Sequence, residues 1–284
     1  MILGIVHNRI AWEEKEIIET AKQKGVTVKL FDSRNLDIEV TGEKCSVDAV
    51  DIFLQRSISY LKGLYSTLVL EAMGYRVVNS FKSQEICGDK LRTTIALKKA
   101  GLPLPKTYLA LSCDAALRAL DKLGYPAITK PLIGSWGRLV AILNDPISAK
   151  AIFEAKETLG EMIHKIYYIQ EYVNHNARDL RVFVIGDEVV AAMYRYVLPN
   201  DWRSNATIGG KTEECKITDE IAELAIKAAK ATFSEIAGID MLEGKDGLLL
   251  NEVNHNPGFQ HIVATTKVDI AGKIVDYLIK ECKV

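Results

Sequence analysis

The first 80 residues alternate short apolar runs with helix-length amphipathic segments, and that alternation narrows the fold more than any other feature. Residues 2–6 read as a buried strand. Glu13 to Lys24 reads as a helix with Gly25 as its stop. Val26 to Phe31 and Ala49 to Leu54 are further strands. A helix around Lys62–Met73 ends at Gly74, and Arg76-Val77-Val78 is a short strand. A helix between two strands carries the chain back to the edge it left. The strands then run parallel, with helices on both faces.

Beyond Asn79-Ser80 the rhythm changes. A helix from Asp89 to Ala100 stops at Gly101, ahead of Pro103 and Pro105, and a second runs from Asp114 to Leu123, with Leu117, Leu120 and Leu123 on one face. Ala127–Lys130 and Leu139–Leu143 flank a glycine-containing loop at Ile133–Arg138, which is a hairpin pattern, and a helix follows to about residue 160. Residues 166–173 open a third unit. Strands Leu180–Ile185 and Glu188–Met193 join at Gly186-Asp187, a hairpin turn signal. Thr218 caps a helix to about Ile236. Strands Gly238–Glu243 and Gly247–Glu252 flank a turn, and a helix follows Asp269. The predicted units are 1–80, 81–165 and 166–284.

Charge excludes some functions. Lys plus Arg number 36 and Asp plus Glu 37, for a net charge of −1, so no global field favours nucleic acid or an anionic membrane. The apolar start, Met1–Val6, is too short for a leader or a span, which needs about 20 apolar residues. The 5 cysteines form no Cys-x-x-Cys pair, which points to reduced thiols in a cytoplasmic protein.

The strongest chemical constellation is near the C-terminus. Glu252 and Asn254 are two apart, so on a strand they share a face, and Asp240 can reach that face from the paired strand. Three hard oxygen donors suit Mg²⁺, which shares its remaining positions with water and phosphates. Residue types alone allow a solvated acidic face equally well. Lys130 ends an apolar strand before Ile133-Gly-Ser-Trp-Gly-Arg138, where glycines let backbone N–H groups approach phosphate oxygens. The loop lacks Gly-Lys-Ser/Thr, so it is no Walker A loop, and a plain hairpin turn stays open. Lys90, at a helix start, reads as a phosphate ligand or a surface lysine. Tyr168–Val173 is a strand running into a connector that can offer backbone groups to an adenine edge. Asp179 can meet ribose hydroxyls. Arg178, Arg181, Arg195 and Arg203 match carboxylate or phosphate geometry, or pair with Asp179, Asp187 or Asp201. No Gly-x-Ser-x-Gly nucleophile motif is present.

Taken in order, Gly88-Asp89-Lys90, Lys130, Gly134-Ser-Trp-Gly-Arg138, Gln170-Glu-Tyr-Val173, Asp179-Leu-Arg181, Arg203-Ser-Asn205, Asp240 and Asn251-Glu-Val-Asn254 resemble the ATP-grasp superfamily, within it the RimK branch. Ile133–Leu139 and Asn251-Glu-Val-Asn-His255 are similar to its LysX/ArgX group. The resemblance covers essentially the whole chain. It implies an α/β ATP-grasp fold: a parallel-sheet N-terminal domain, then two α+β subdomains sandwiching ATP. The implied enzyme is an ADP-forming ligase. It extends the C-terminal glutamate of a small acidic amino-group carrier protein with glutamate or 2-aminoadipate, through an acyl phosphate.

The resemblance also implies roles. Lys90 and Lys130 bind ATP phosphates. Gly134, Ser135, Trp136, Gly137 and Arg138 close over them. Gln170, Glu171, Tyr172 and Val173 hold adenine, with Asp179 at the ribose and Arg181 beside it. Asp240, Glu252 and Asn254 bind two Mg²⁺. Arg195, Arg203 and Asn205 face the acyl phosphate and the amine, and Ala206, His255, Asn256, Pro257, Gly258 and Phe259 complete the substrate side. The 2-aminoadipate type reads Asn-His-Thr-Met-Glu-Phe where this chain has Asn254-His-Asn-Pro-Gly-Phe259. The exchange of Met-Glu for Pro-Gly accords with glutamate, whereas His255 leaves dual use open. An acidic carrier should meet basic surface, for which Arg56, Lys62, Lys98, Lys99 and Lys267 are candidates. A homo-oligomer, dimer or tetramer, is expected, with no nucleic-acid or membrane partner. Two other readings stay open: glutamate addition to a ribosomal protein, pterin or flavin, and a nucleotide sensor without catalysis.

Overall fold

The computed structural model describes residues 1–41, 49–134, 137–174, 177–198 and 210–282. The first unit comprises β1 (Ile2–His7), α1 (Trp12–Gln23), β2 (Thr27–Asp32), β3 (Ile52–Gln55), α2 (Tyr60–Ala72) and β4 (Val77–Val78). Its sheet is parallel throughout, in the order β2-β1-β3-β4. Strand alternation sorts the side chains onto the two faces. Leu3, Ile5, Ile52 and Leu54 pack with Ile17 and Ala21 of α1, while Val6, Phe53 and Val77 pack with Leu70 of α2. Gly4 shares the second face, and a Cβ there would lie 2.5 Å from the Phe53 ring. Gly4→Val is therefore expected to lower stability by about 1–3 kcal/mol, from overpacking, in urea denaturation. An unchanged midpoint would mean that the ring moves aside freely.

Next come α3 (Phe81–Cys87), α4 (Lys90–Lys99), β5 (Thr107–Ala110), α5 (Cys113–Leu123), β6 (Ala127–Lys130), β7 (Ala141–Leu143), α6 (Pro146–Leu159), a 3-10 turn at Met162–Lys165 and β8 (Tyr167–Glu171). β6 and β7 form the expected hairpin in an antiparallel sheet ordered β5-β8-β6-β7. Ala127, Tyr167 and Ile169 face α5 and α6, packing with Leu120 and Phe153. The sequence reading placed Tyr167–Glu171 in the third unit. It pairs instead with β5 and β6, so the central sheet closes only at Glu171.

The last unit contains β9 (Arg178–Ile185), β10 (Glu188–Tyr196), β11 (Thr212–Glu214), α7 (Asp219–Ala231), β12 (Ile236–Gly244), β13 (Gly247–Asn254), α8 (Gln260–Thr266) and α9 (Ile270–Glu281). Its antiparallel sheet runs β11-β10-β9-β12-β13. α7 ends short of the expected Ile236. Thr232 turns its hydroxyl back onto the Ala228 and Ala229 carbonyls (2.9 and 3.1 Å), and Phe233 takes a left-handed φ of 56°. One sheet face, with Leu180, Val182, Ile239, Met241, Leu250 and Val253, packs on Ala225 and Ala228 of α7 and on Leu97 of α4. The other carries Phe183, Ile185, Met193 and Ile236. It joins Phe259, Ile274 and Leu278 to the α1 side of the first sheet in one continuous core. No helix among the described residues is long and apolar enough to cross a membrane.

Candidate active site

The β9–β12 face that is apolar at Phe183 and Ile236 turns charged toward one end. Asp179 and Arg181 follow the parity of Phe183, Arg195 that of Met193, and Asp240 that of Ile236. Asp240 is opposite Glu252, and Gly238 opposite Asn254, so Asp240, Glu252 and Asn254 share this face as the sequence spacing implied. The register slips between Asp240 and Met241, whose partners are Glu252 and Leu250. Asn251 is thus a bulged residue. Strict alternation would turn it away from Glu252, but the bulge brings both to the same cleft.

Two lysines meet that cleft from the other side. Lys130, on β6, sits on the face of the central sheet opposite α5 and α6, and is 9% exposed. Its ammonium donates to Gln170 Oε1 on β8 (2.7 Å) and Asn251 Oδ1 on β13 (2.8 Å). Both acceptors are neutral amides. Burial pushes the Lys130 pKa down to about 8, against the opposing pull of Glu252 and Asp240. A desolvated cation bonded to neutral acceptors favours the approach of an anion. Lys90, first residue of α4, donates to Gly134 O (2.8 Å) in the loop after β6 and lies 3.3 Å from Glu252 Oε1. Asp89 caps α4 through Leu91 N and Arg92 N, which aims Lys90 into the cleft.

Behind the cleft runs a buried chain of alternating charge. Arg195 forks onto Asp179 (2.7 and 2.6 Å) and reaches Asp240 Oδ1 at 3.0 Å. Arg181 clamps both Asp240 oxygens, through Nε and, at 2.9 Å, through Nη2. Burial alone would raise the Asp240 pKa; Arg181 and Arg195 overcome it and hold the carboxyl ionised, below its ordinary value. Asp179, expected at the ribose, also clamps Arg195. Asp240, expected as a metal ligand, already serves two guanidinium groups, so a cation bridging it to Glu252 has to share or displace one of them. Glu252 and Asn254 face the cleft with fewer commitments: Glu252 to Lys90, and the Asn254 amide nitrogen to Gly238 O (3.2 Å) and Asp240. Among the described residues no group of three His, Cys, Asp or Glu is placed to hold a metal. The set here, two carboxylates and an amide, suits a hard cation that keeps water and phosphate ligands.

Strands from two facing antiparallel sheets and two convergent lysines, preceded by a parallel-sheet unit, are the decisive arrangement. Family models agree with it: a RimK-like ATP-grasp domain over residues 87–278 and a LysX preATP-grasp domain over 3–86. The chain belongs to the RimK-like ATP-grasp family. It is 35% identical over 279 residues to the glutamate–LysW ligase ArgX of Sulfurisphaera tokodaii, covering 98% of each chain. It is 37% identical over 262 residues to the alpha-aminoadipate–LysW ligase LysX of Saccharolobus solfataricus, covering 92% of this chain and 94% of that one. A crystal structure of the RimK domain ATP-grasp protein of Sphaerobacter thermophilus superposes with TM-score 0.82 at 22% identity, covering 98% of this chain and 99% of that one. The enzyme class is that of an ATP-dependent carboxylate–amine ligase.

Not every expected site residue is described, and some that are described have other partners. Ser135, Trp136, Arg203, Asn205 and Ala206 lie outside the described residues. Of the same loop, Gly137 and the exposed Arg138 are described. Gln170 spends its side chain on Lys130 and Thr107, and Glu171 Oε1 accepts from Lys106 N (2.8 Å). Phe259 is 1% exposed, edge-on to Trp12 and Phe183, so its side chain is core rather than substrate surface. Arg56 is no docking cation: it is buried on Glu14 (2.9 Å) and Pro257 O (3.1 Å). That clamp carries the 255–258 segment onto the first unit, and no local pattern announced it.

His255 shows what the clamp does. Burial of its ring, with the Arg56 cation nearby, holds its pKa down at about 4, although part of the residue surface stays exposed. The folded state keeps it neutral, while the unfolded chain binds a proton below about 6.5. The stability this contributes is complete above pH 6.5 and is lost as pH falls toward 4. The wild type is expected to lose about 2 kcal/mol more than His255→Gln between pH 7 and pH 5, read from urea midpoints. Parallel pH profiles would refute a neutral buried imidazole.

Proposed function

We propose that this protein joins the amino group of glutamate to the C-terminal glutamate side-chain carboxylate of a small acidic amino-group carrier protein, at the expense of ATP. The observation that carries the reading is Lys130: a buried ammonium between two sheets, held by amide oxygens from both, in a chain whose relatives are LysW ligases. The carrier carboxylate attacks the γ-phosphorus, releasing ADP and forming an acyl phosphate. The neutral amine then attacks the acyl carbon, and phosphate leaves. Lys130 and Lys90 offset the charge that spreads over the phosphoryl oxygens. Gly134 to Arg138 cover the phosphates, and the 171–173 backbone meets adenine. Arg195 and Arg181 hold Asp240 ionised and in place. Glu252, Asn254 and Asp240 would hold two Mg²⁺, which when bound neutralise phosphate charge and polarise the transferred group. Arg203 and Asn205 serve the acyl phosphate and the amine. We place the protein in the cytoplasm.

Glutamate is favoured by the crowding at Gly258. A Cβ there would lie 3.1 Å from Glu13 Oε1, which already accepts from Phe259 N and Gln260 N. The glutamate of the 2-aminoadipate pattern would bring a second carboxylate against Glu13. The LysX relative keeps 2-aminoadipate as the second reading. The deciding measurement is the mass added to purified carrier in the presence of ATP and Mg²⁺, with each amino acid in turn, alongside ADP release. Product with glutamate alone establishes the reading. Product with 2-aminoadipate alone reassigns the amine, and ADP release with neither removes the carrier-ligase reading.

A further inference from the structure

The bulge in β13 gives the two cleft lysines partners of different charge. Asp240 and Met241 pair with Glu252 and Leu250, so Asn251 is the extra residue between them. Consecutive residues of a regular strand face opposite sides. Here both reach one cleft: Asn251 Oδ1 accepts from Lys130 (2.8 Å), and Glu252 Oε1 lies 3.3 Å from Lys90. The buried lysine meets an uncharged amide, and the half-buried one a carboxylate.

The other acceptor of Lys130 is fixed just as firmly. Gln170 Nε2 donates to Thr107 Oγ1 and Tyr168 Oη (3.2 Å each), which leaves Oε1 for Lys130 (2.7 Å). Thr94 spends its hydroxyl hydrogen on Lys90 O (2.8 Å), so the Tyr168 hydroxyl, 2.8 Å from Thr94 Oγ1, is the donor of that pair. The bonds therefore run one way, from the Lys130 ammonium through Gln170, Tyr168 and Thr94 to the backbone of Lys90. Each donor polarises the next. Asn251 is covalently joined to Glu252, and Glu252 pairs with Lys90, so the circuit closes. It ties α4, the central sheet and the last sheet together around the two lysines.

An ammonium has three hydrogens, and two acceptors, one from each sheet, fix where the third points. Both acceptors are neutral, so neither cancels the charge by direct contact. A carboxylate at position 251 would make the same contact and cancel it. We propose that Asn251 is a positioning residue for Lys130: its amide fixes the ammonium while leaving one hydrogen and the positive charge for a phosphate of the nucleotide. The inference rests on the ligase reading above for naming that nucleotide as ATP. The bulge thus divides two tasks between neighbours, with Asn251 serving the phosphate-binding lysine and Glu252 the cation.

The test uses Asn251→Asp and Asn251→Leu in the full chain, with ATP affinity measured by calorimetry and folding by urea midpoint. Asn251→Asp keeps an acceptor for Lys130, so its midpoint should be no lower than that of wild type. Asn251→Leu removes the acceptor and keeps the site dry. Both are expected to weaken ATP binding about tenfold or more, the loss expected of one hydrogen bond to a charged group. The loss should persist without Mg²⁺, where an added metal ligand has nothing to bind. In turnover it should fall on KM for ATP, with KM for the amino acid within about twofold. Should Asn251→Leu fail to fold, Asn251→Ala takes its place. Wild-type ATP affinity in either variant, a loss seen only with Mg²⁺, or both KM values rising together overturns the proposal. ATP binding requires neither carrier nor amino acid, so wild-type ADP release tests the ligase reading separately. Failure of that release with intact ATP binding removes the reaction and leaves these affinities to decide the role of Asn251. A wild type that binds no ATP overturns both.

Discussion

Glu252→Gln is expected to lower the rate of ADP release by about 100- to 1000-fold, the loss typical of one pre-organised electrostatic group, with little change in stability. The substitution keeps the shape of the side chain and removes its charge. Stability changes little because the Glu252 side chain is 31% exposed and its ion pair with Lys90, at 3.3 Å, is partly solvated. The rate falls because Glu252 stands opposite Asp240 and beside Lys90, where the proposed function puts a hard cation and the phosphates. Mg²⁺ titration adds a second readout: the variant should need a higher Mg²⁺ concentration for half its maximal rate. A variant with wild-type turnover at the same Mg²⁺ concentration would remove Glu252 from the metal site. ATP binding without turnover in the wild type would instead favour the nucleotide-sensor reading.

The legible part of the fold is the part written in local pattern. Apolar runs at 2–6 and 49–54 alternating with helices, with glycine stops at Gly25 and Gly74, sufficed for the parallel unit, and the turns at Gly186-Asp187 and Gly244–Asp246 for two hairpins. Elements of a few residues escaped: β5, β11, α3 and α8. Such short pieces owe their form to neighbours, β11 to its pairing with β10 and α3 to a buried hydroxyl link from Ser83 to Ser234 at 2.7 Å. β8 was seen as a strand but given to the wrong sheet, because Tyr167, Tyr168, Ile169 and Gln170 are all buried and identify no partner.

The site divides the same way. The shared face of Glu252 and Asn254 follows from strand period alone, and Asp240 joins it through its pairing with Glu252. The position of Asn251 does not follow from period, since it depends on a bulge that is visible only as the step from Leu250 to Val253 in the core. The arginines had several acidic partners within reach in sequence. Which carboxylate each one takes is decided by register, with Arg195 opposite Asp179 and Arg181 opposite Asp240.

That register makes Arg195 the residue whose loss should be felt most widely. Arg195→Met is expected to lower folding stability by about 3–5 kcal/mol, as when one partner is removed from a buried ion pair, and to abolish measurable ligation. Arg195 is 8% exposed, and its two carboxylate partners, Asp179 and Asp240, are 4% and 5% exposed. In the variant both Asp179 oxygens lose their bonds to the fork, and Asp240 keeps Arg181 but loses its second cation. The Asp240 carboxyl, buried and with one cation fewer, is then held less far below its ordinary pKa, so the variant should also hold its stability less well as pH falls. Adding Asp179→Asn removes one of the two buried carboxylate charges that face the lost fork and should recover part of the lost stability, because part of the penalty is excess buried charge and not the missing contact. It should recover none of the activity, since Asp240 still lacks the guanidinium that positions it. Urea midpoints for the two single variants and the double variant give the coupling directly, and ADP release reads the activity. A single variant within about 0.5 kcal/mol of wild type would mean that water replaces the guanidinium, and the charge chain would then have no structural role.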